Sequence, residues 1–245
     1  MQNEISRNVI SLGCFCSVAL ELEKNGLRDA SYPFDWLITR DFSKVLHLIE
    51  TNFDNFLNED NLIQSISSRN YYYDEIQKIW FYHDFSSNSD LHSQMDDVKE
   101  KFNRRINRFY SAIKQPTTFI RYVKNQKDAD YINQYSKKIE NIIKRFCPHN
   151  QIIYFYNDDL VLNVEDSYSV KVDRNDSVSR HPFRQHMDLL ENLIENYDDK
   201  KREENIKRYN KLTLKRGINK IKIKLNKLLC RLGVVKEYSH SKVIK

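Results

Sequence analysis

The sequence predicts an α/β domain, a predominantly parallel sheet flanked by helices, followed by a basic helical tail. Three observations carry this. Apolar residues alternate between stretches with a two-residue repeat and stretches with a helical repeat. Gly and Pro number only four each in 245 residues, too few for an all-β fold full of tight turns. Charge is divided: residues 200–245 hold 16 Lys and Arg against three acids, in a chain whose net charge is +6. Residues 1–199 are therefore acidic, and the basic balance belongs to the tail. We expect an α/β domain over 1–199 and a tail over 200–245.

The elements follow in order. Asn8 to Leu12 reads as a short buried strand, and Ser17 to Asn25 as a helix with Val18, Ala19 and Leu22 inward, stopped by Gly26. Phe42, Val45, Leu46 and Ile49 form a second helical face. Tyr71 to Asp74 and Ile79 to Tyr82 read as extended. Met95, Val98, Phe102, Ile106, Phe109 and Ile113 mark a long amphipathic helix ended by Pro116. Thr117 to Val123 is a strand, and Tyr131 to Phe146 a helix with Ile132, Tyr135, Ile139, Ile142 and Phe146 inward. Gln151 to Tyr156 and Tyr168 to Val172 are further strands. Met187, Leu190, Leu193, Ile194 and Tyr197 mark a last body helix. Strand–helix–strand units of this kind make parallel sheets, here a three-layer arrangement of Rossmann-like or SGNH-like type.

Several classes are excluded. No apolar run approaches the roughly 20 residues that span a bilayer, and Met1 to Asn8 lacks the apolar core of a signal peptide. The expected location is the cytosol. Four cysteines, at 14, 16, 147 and 230, are too few for a disulfide framework. No cofactor motif is present.

Ligands of open parallel sheets bind beyond the carboxyl ends of the strands. Gly13 to Cys16, Lys124 with Asn125, and Asn157 to Asp159 all follow predicted strands and share that edge. Cys147 and His149 precede a strand and belong to the other edge. This argues against a zinc site built from Cys14, Cys16, Cys147 and His149, whose spacing is also unusual.

Cys16 opens a helix directly after a glycine turn. Main-chain N–H groups and the helix dipole favour negative charge there. A thiolate so placed has a lowered pKa and can act as a nucleophile, and the turn can donate to an oxyanion. The alternative is a small, inert core cysteine.

The residues around Cys16 carry a resemblance. Ser11-Leu12-Gly13-Cys14-Phe15-Cys16, then Gly26-Leu27-Arg28, then Pro33-Phe34-Asp35-Trp36 resemble the opening block of a family of unknown function labelled "putative papain-like cysteine peptidase". Tyr82-His83-Asp84-Phe85, the Phe102 to Phe109 segment with Arg104 and Arg105, and Phe119 to Val123 with Arg121 resemble later blocks. The resemblance implies Cys16 as nucleophile and His83 as base. Asp35 is either the group that orients the histidine or a structural partner of Arg28. His181-Pro182, after Asp176, resembles a block of SGNH-type esterases and makes His181 the alternative base. Gly13, Arg28, Trp36, Asp84, Arg121, Asn125 and Asp158 are the candidate binding residues. The expected substrate is a peptide, an ester or a glycan-linked acyl group. The competing reading is a non-catalytic accessory protein beside surface-glycan assembly at the inner membrane.

In the tail, Ile218, Ile221, Leu225, Leu228, Leu229 and Leu232 fall on one helical face, and Lys220, Lys222, Lys224, Lys227 and Arg231 cover much of the rest. Such a helix suits an anionic membrane surface or a partner groove. Nucleic acid is the weaker candidate, because the tail lacks interleaved aromatics and the body is acidic. The remaining alternative packs the tail on that acidic body.

Overall fold

The computed structural model describes residues 7–165, 168–173, 190, 194 and 197–231. Along the chain, β1 (Asn8–Ser11) leads into α1 (Ser17–Lys24), β2 (Leu37–Thr39) and α2 (Phe42–Glu50). Three short strands follow, β3 (Leu62–Gln64), β4 (Tyr72–Asp74) and β5 (Ile79–Phe81), then α3 (His92–Ala112) and β6 (Thr117–Val123). The chain continues through α4 (Gln126–Lys144), β7 (Gln151–Asn157), β8 (Ser169–Val172) and α5 (Asp199–Arg231).

The main sheet has the order β1-β6-β7-β8, and every neighbour is parallel. Its strand residues alternate between two cores. Ile10, Phe119, Val123, Ile152 and Tyr154 face the core made with α2, α3 and α4. Val9, Ile120, Tyr122, Ile153 and Phe155 face the core made with α1, Leu190 and Ile194. Burial on both faces is what places apolar residues at successive positions in these strands, Phe119-Ile120 in β6 and Ile152 to Phe155 in β7. The α/β fold is thus the one the alternating periodicity predicts.

A second sheet was not expected. β2-β5-β4-β3 pair antiparallel, Leu37 opposite Phe81 and Thr39 opposite Ile79. In α4, Tyr135 was expected inward but is exposed, because the backbone leaves helical geometry there (φ −119°, ψ 21°). Most of the expected helix through Met187 to Tyr197 lies outside the described residues.

The tail is one continuous helix from Asp199 to Arg231, the last described residue, and its first turns are docked. Arg202 Nε donates to the Asn25 carbonyl at 3.0 Å and Asn205 Nδ2 to the Gly26 carbonyl at 2.9 Å. Arg208 reaches the Arg28 carbonyl at 3.2 Å, and Lys201 pairs with Asp29 at 3.1 Å. Arg202 and Asn205 thereby satisfy carbonyls just past the end of α1 that have no partner inside the helix. Gly26 makes the approach possible: its φ is +73°, and a Cβ there would lie 2.5 Å from the Arg202 carbonyl oxygen.

Candidate active site

β1 ends at the carboxyl edge of the main sheet, where Gly13 (φ 79°) and Cys14 (φ 95°) both adopt left-handed backbone. Such a conformation at a non-glycine residue persists only when its surroundings enforce it. Here Thr39 does so. The Cys14 N–H donates to Thr39 Oγ1 at 3.0 Å, and the Thr39 N–H returns to the Cys14 carbonyl at 3.0 Å. The Gly13 N–H donates to Ser11 Oγ at 3.0 Å.

Beneath the turn lies Arg121, fully buried in β6. Its guanidinium donates to the Leu12 carbonyl (3.0 Å), Thr39 Oγ1 (2.8 Å), the Thr39 carbonyl (2.7 Å) and Asp128 Oδ2 (2.7 Å). Asp128 also accepts from the Phe42 N–H at 2.9 Å. Arg121 therefore ties together the ends of β1 and β2 and the starts of α2 and α4. It was expected to bind a ligand, but its hydrogen bonds go to the fold. Asn125 caps α4, accepting from the Asp128 N–H at 2.8 Å and donating to the Arg40 carbonyl at 3.2 Å. Asp158 stands exposed just past β7, its N–H on the Val172 carbonyl at 2.9 Å.

Cys16 sits at the N-cap of α1 and is partly exposed, whereas Cys14 and Cys147 are buried. The sequence suggested a lowered thiol pKa. The structure gives the opposite direction: partial burial pushes the Cys16 thiol up, opposed only by its own backbone N–H. Desolvation of a thiolate outweighs the helix end when no cation is paired with it. Next to it, the Ser17 hydroxyl is buried without a hydrogen-bond partner. No sequence signal marked Ser17 or Thr39, whose roles come from packing.

The remaining expected site residues form a separate cluster. Asp35 is fully buried, and its Oδ2 accepts from Arg28 at 2.6 Å and from the Tyr32 N–H at 2.8 Å. Arg28 also pairs with Glu23 at 2.9 Å and lies over the Trp36 ring, 5.3 Å from its centre. Burial works to lower the Arg28 pKa, and the Asp35 and Glu23 carboxylates overcome it and raise it. The exposed ring of His83 meets Trp36 edge-on at 6.3 Å. Asp84 pairs with Lys101 at 2.7 Å and lies 3.6 Å from Arg105.

The structure thus holds Asp35 on Arg28 and not on His83, the structural of the two roles expected for it. Asp35→Asn should cost about 3 kcal/mol of stability, measured by urea unfolding, because it breaks a buried charge pair. Any residual activity should fall only in step with the folded fraction. Nor is Cys16 hydrogen-bonded to His83. The Cys14–Thr39 contacts lie at one end of β2, and His83 follows the opposite end of the β2–β5 pair, beside Trp36. No hydrogen bond joins the two residues. His181 lies outside the described residues. The parallel register does place Cys147 and His149 at the opposite edge from Cys14 and Cys16.

Residues 7–159 match the model of a family described as "Putative papain-like cysteine peptidase". The chain belongs to this family. The match runs from β1 through β7 and takes in both the Cys16 turn and the Arg28–Trp36–His83 cluster, but not β8 or α5. An uncharacterized protein of Acanthamoeba polyphaga mimivirus is 32% identical over 120 residues, covering 41% of this chain and 54% of that protein. The chain therefore spans about half the length of that curated relative. No solved structure matches. Among the described residues, no helix is long and apolar enough to cross a membrane.

Proposed function

We propose that the chain is a cysteine-nucleophile hydrolase or acyl transferase acting on a peptide, an ester or a glycan-linked acyl group. One observation carries the reading: Cys16 opens α1, partly exposed, immediately after a turn held in left-handed backbone at the carboxyl edge of a parallel sheet. Active sites concentrate such strain, and ligands of parallel sheets meet that edge.

In the proposed step, the Cys16 sulfur attacks the acyl carbon and a carbon–sulfur bond forms. The thiol proton passes to a histidine and then to the leaving alcohol or amine as its bond to the acyl carbon breaks. Water or an acceptor hydroxyl then takes the acyl group from sulfur. Because burial pushes the thiol up, it is neutral at rest near pH 7. Attack and deprotonation must therefore be coupled, and the base matters more than in an enzyme with a standing thiolate.

The test is turnover of a panel of p-nitrophenyl esters and peptide amides. Cys16→Ala should abolish it. Either His83→Gln or His181→Gln should lower it by about 10²–10⁴-fold, the usual contribution of a general base. Equal turnover by Cys16→Ala and the unaltered chain would remove the reading. The accessory-protein reading is favoured by one observation, the lack of any imidazole bonded to Cys16 among the described residues. It expects no turnover by any of these proteins.

A further inference from the structure

We propose that the outer part of α5, from Leu214 to Leu225, lies in the headgroup layer of an anionic membrane surface. This concerns a part of the chain outside both the family match and the Cys16 site.

The helix has 33 residues, a length of about 50 Å at 1.5 Å per residue. Its contacts with the body run from Lys201 to Arg208. Among the described residues, no hydrogen bond or ion pair joins 209–225 to the rest of the chain. A Cβ on Gly217 would meet nothing within 4 Å. Leu214 is 66% exposed and Ile221 67%, with Ile218 and Leu225 also open to solvent. Solvent-facing leucine and isoleucine at this density mark an interaction surface.

The arrangement selects the partner. At about 100° per residue, Leu214, Ile218, Ile221 and Leu225 fall within a wedge of about 60°. Lys215 and Lys222 border it on one side, and Lys220 and Lys224 on the other. No acid occurs between Asn205 and Arg231. An apolar stripe between two basic borders fits a helix lying flat, its apolar side chains in the acyl boundary and its ammonium groups among phosphates. A nucleic acid would leave the stripe unused. A second copy of α5 would bring like charges together. The body is acidic, yet the described helix leaves it after Arg208. Too polar to cross a bilayer, α5 is suited to lie on one, and its docked first turns fix how the body is presented.

The test uses the full chain with sedimented vesicles of phosphatidylcholine alone or mixed with phosphatidylserine. Binding should be at least about tenfold tighter to the serine-containing vesicles and should weaken in high salt, since each nearby Lys favours an anionic surface. Ile218→Asp with Ile221→Asp should weaken it by about tenfold or more. So should Lys215→Glu, Lys220→Glu, Lys222→Glu and Lys224→Glu together. All six side chains are outside the core, so both variants should keep the wild-type circular dichroism. Absence of vesicle binding would overturn the proposal, as would equal binding to both vesicle types or binding unaffected by the aspartate pair. A dimer that the aspartate pair dissociates, in a chain that ignores vesicles, would assign the surface to self-association and overturn it too.

Discussion

Gly13→Ala is expected to lower stability by about 2–4 kcal/mol. Two effects add. An L-residue pays about 1–2 kcal/mol for left-handed backbone, and the φ of Gly13 is +79°. The new Cβ would also lie 2.6 Å from Thr39 Oγ1 and 3.3 Å from the Phe34 carbonyl oxygen, and overpacking of this kind costs about 1–3 kcal/mol. Thr39 cannot retreat freely, because its hydroxyl and carbonyl both accept from Arg121. The strain should therefore reach Cys14 and the start of α1. Thermal unfolding should show a fall of roughly 6–12 °C for a loss of about 3 kcal/mol in a chain of this size. The Cys16 thiol should become more accessible to alkylating reagents in the same variant. A variant as stable as the parent would show that the turn is not held as described.

Arg121→Met should be worse, at about 3–5 kcal/mol, the usual cost of removing one partner of a buried pair. It strands the Asp128 carboxylate, which is 1% exposed, and takes the donor from the Leu12 and Thr39 carbonyls. A second substitution separates charge from packing. Asp128→Asn keeps an oxygen for the Phe42 N–H while removing the charge. The double variant should recover part of the lost stability, about 1–2 kcal/mol, because the stranded charge is gone. Urea midpoints of the two single variants and the double measure this coupling. No recovery would mean that Asp128 is not charged, or not stranded, when Arg121 is absent.

The main sheet was legible because its strands announce themselves. Thr117 to Val123 and Gln151 to Asn157 are buried over nearly their whole length, so neither shows the polar alternation of a half-exposed strand. Of the second sheet, β4 and β5 were read as extended, but β2, β3 and the antiparallel pairing were not. Its strands have three residues each, shorter than any period can show, and Ile63 in β3 points to solvent. The pairing of β2 with β5, which sets His83 beside Trp36, joins segments far apart in sequence and leaves no local signal. Arg121 was misread for a related reason. An arginine within a strand looks like a ligand contact until its partners are known, and Leu12 and Thr39 are 109 and 82 residues away. The position of Cys16 at a helix start could be read from Gly13. The direction of its pKa could not, because desolvation depends on tertiary packing around α1.

The measurement that bears most directly on Cys16 is acyl trapping. The folded chain is mixed with p-nitrophenyl acetate, quenched in acid and digested, and the acetylated peptides are identified by mass. If Cys16 is the nucleophile, one acetyl group per chain appears on the Cys16 peptide, ahead of Cys14 and Cys147, and disappears in Cys16→Ala. Acetyl groups spread over surface lysines, with the Cys16 peptide unmodified, would contradict it.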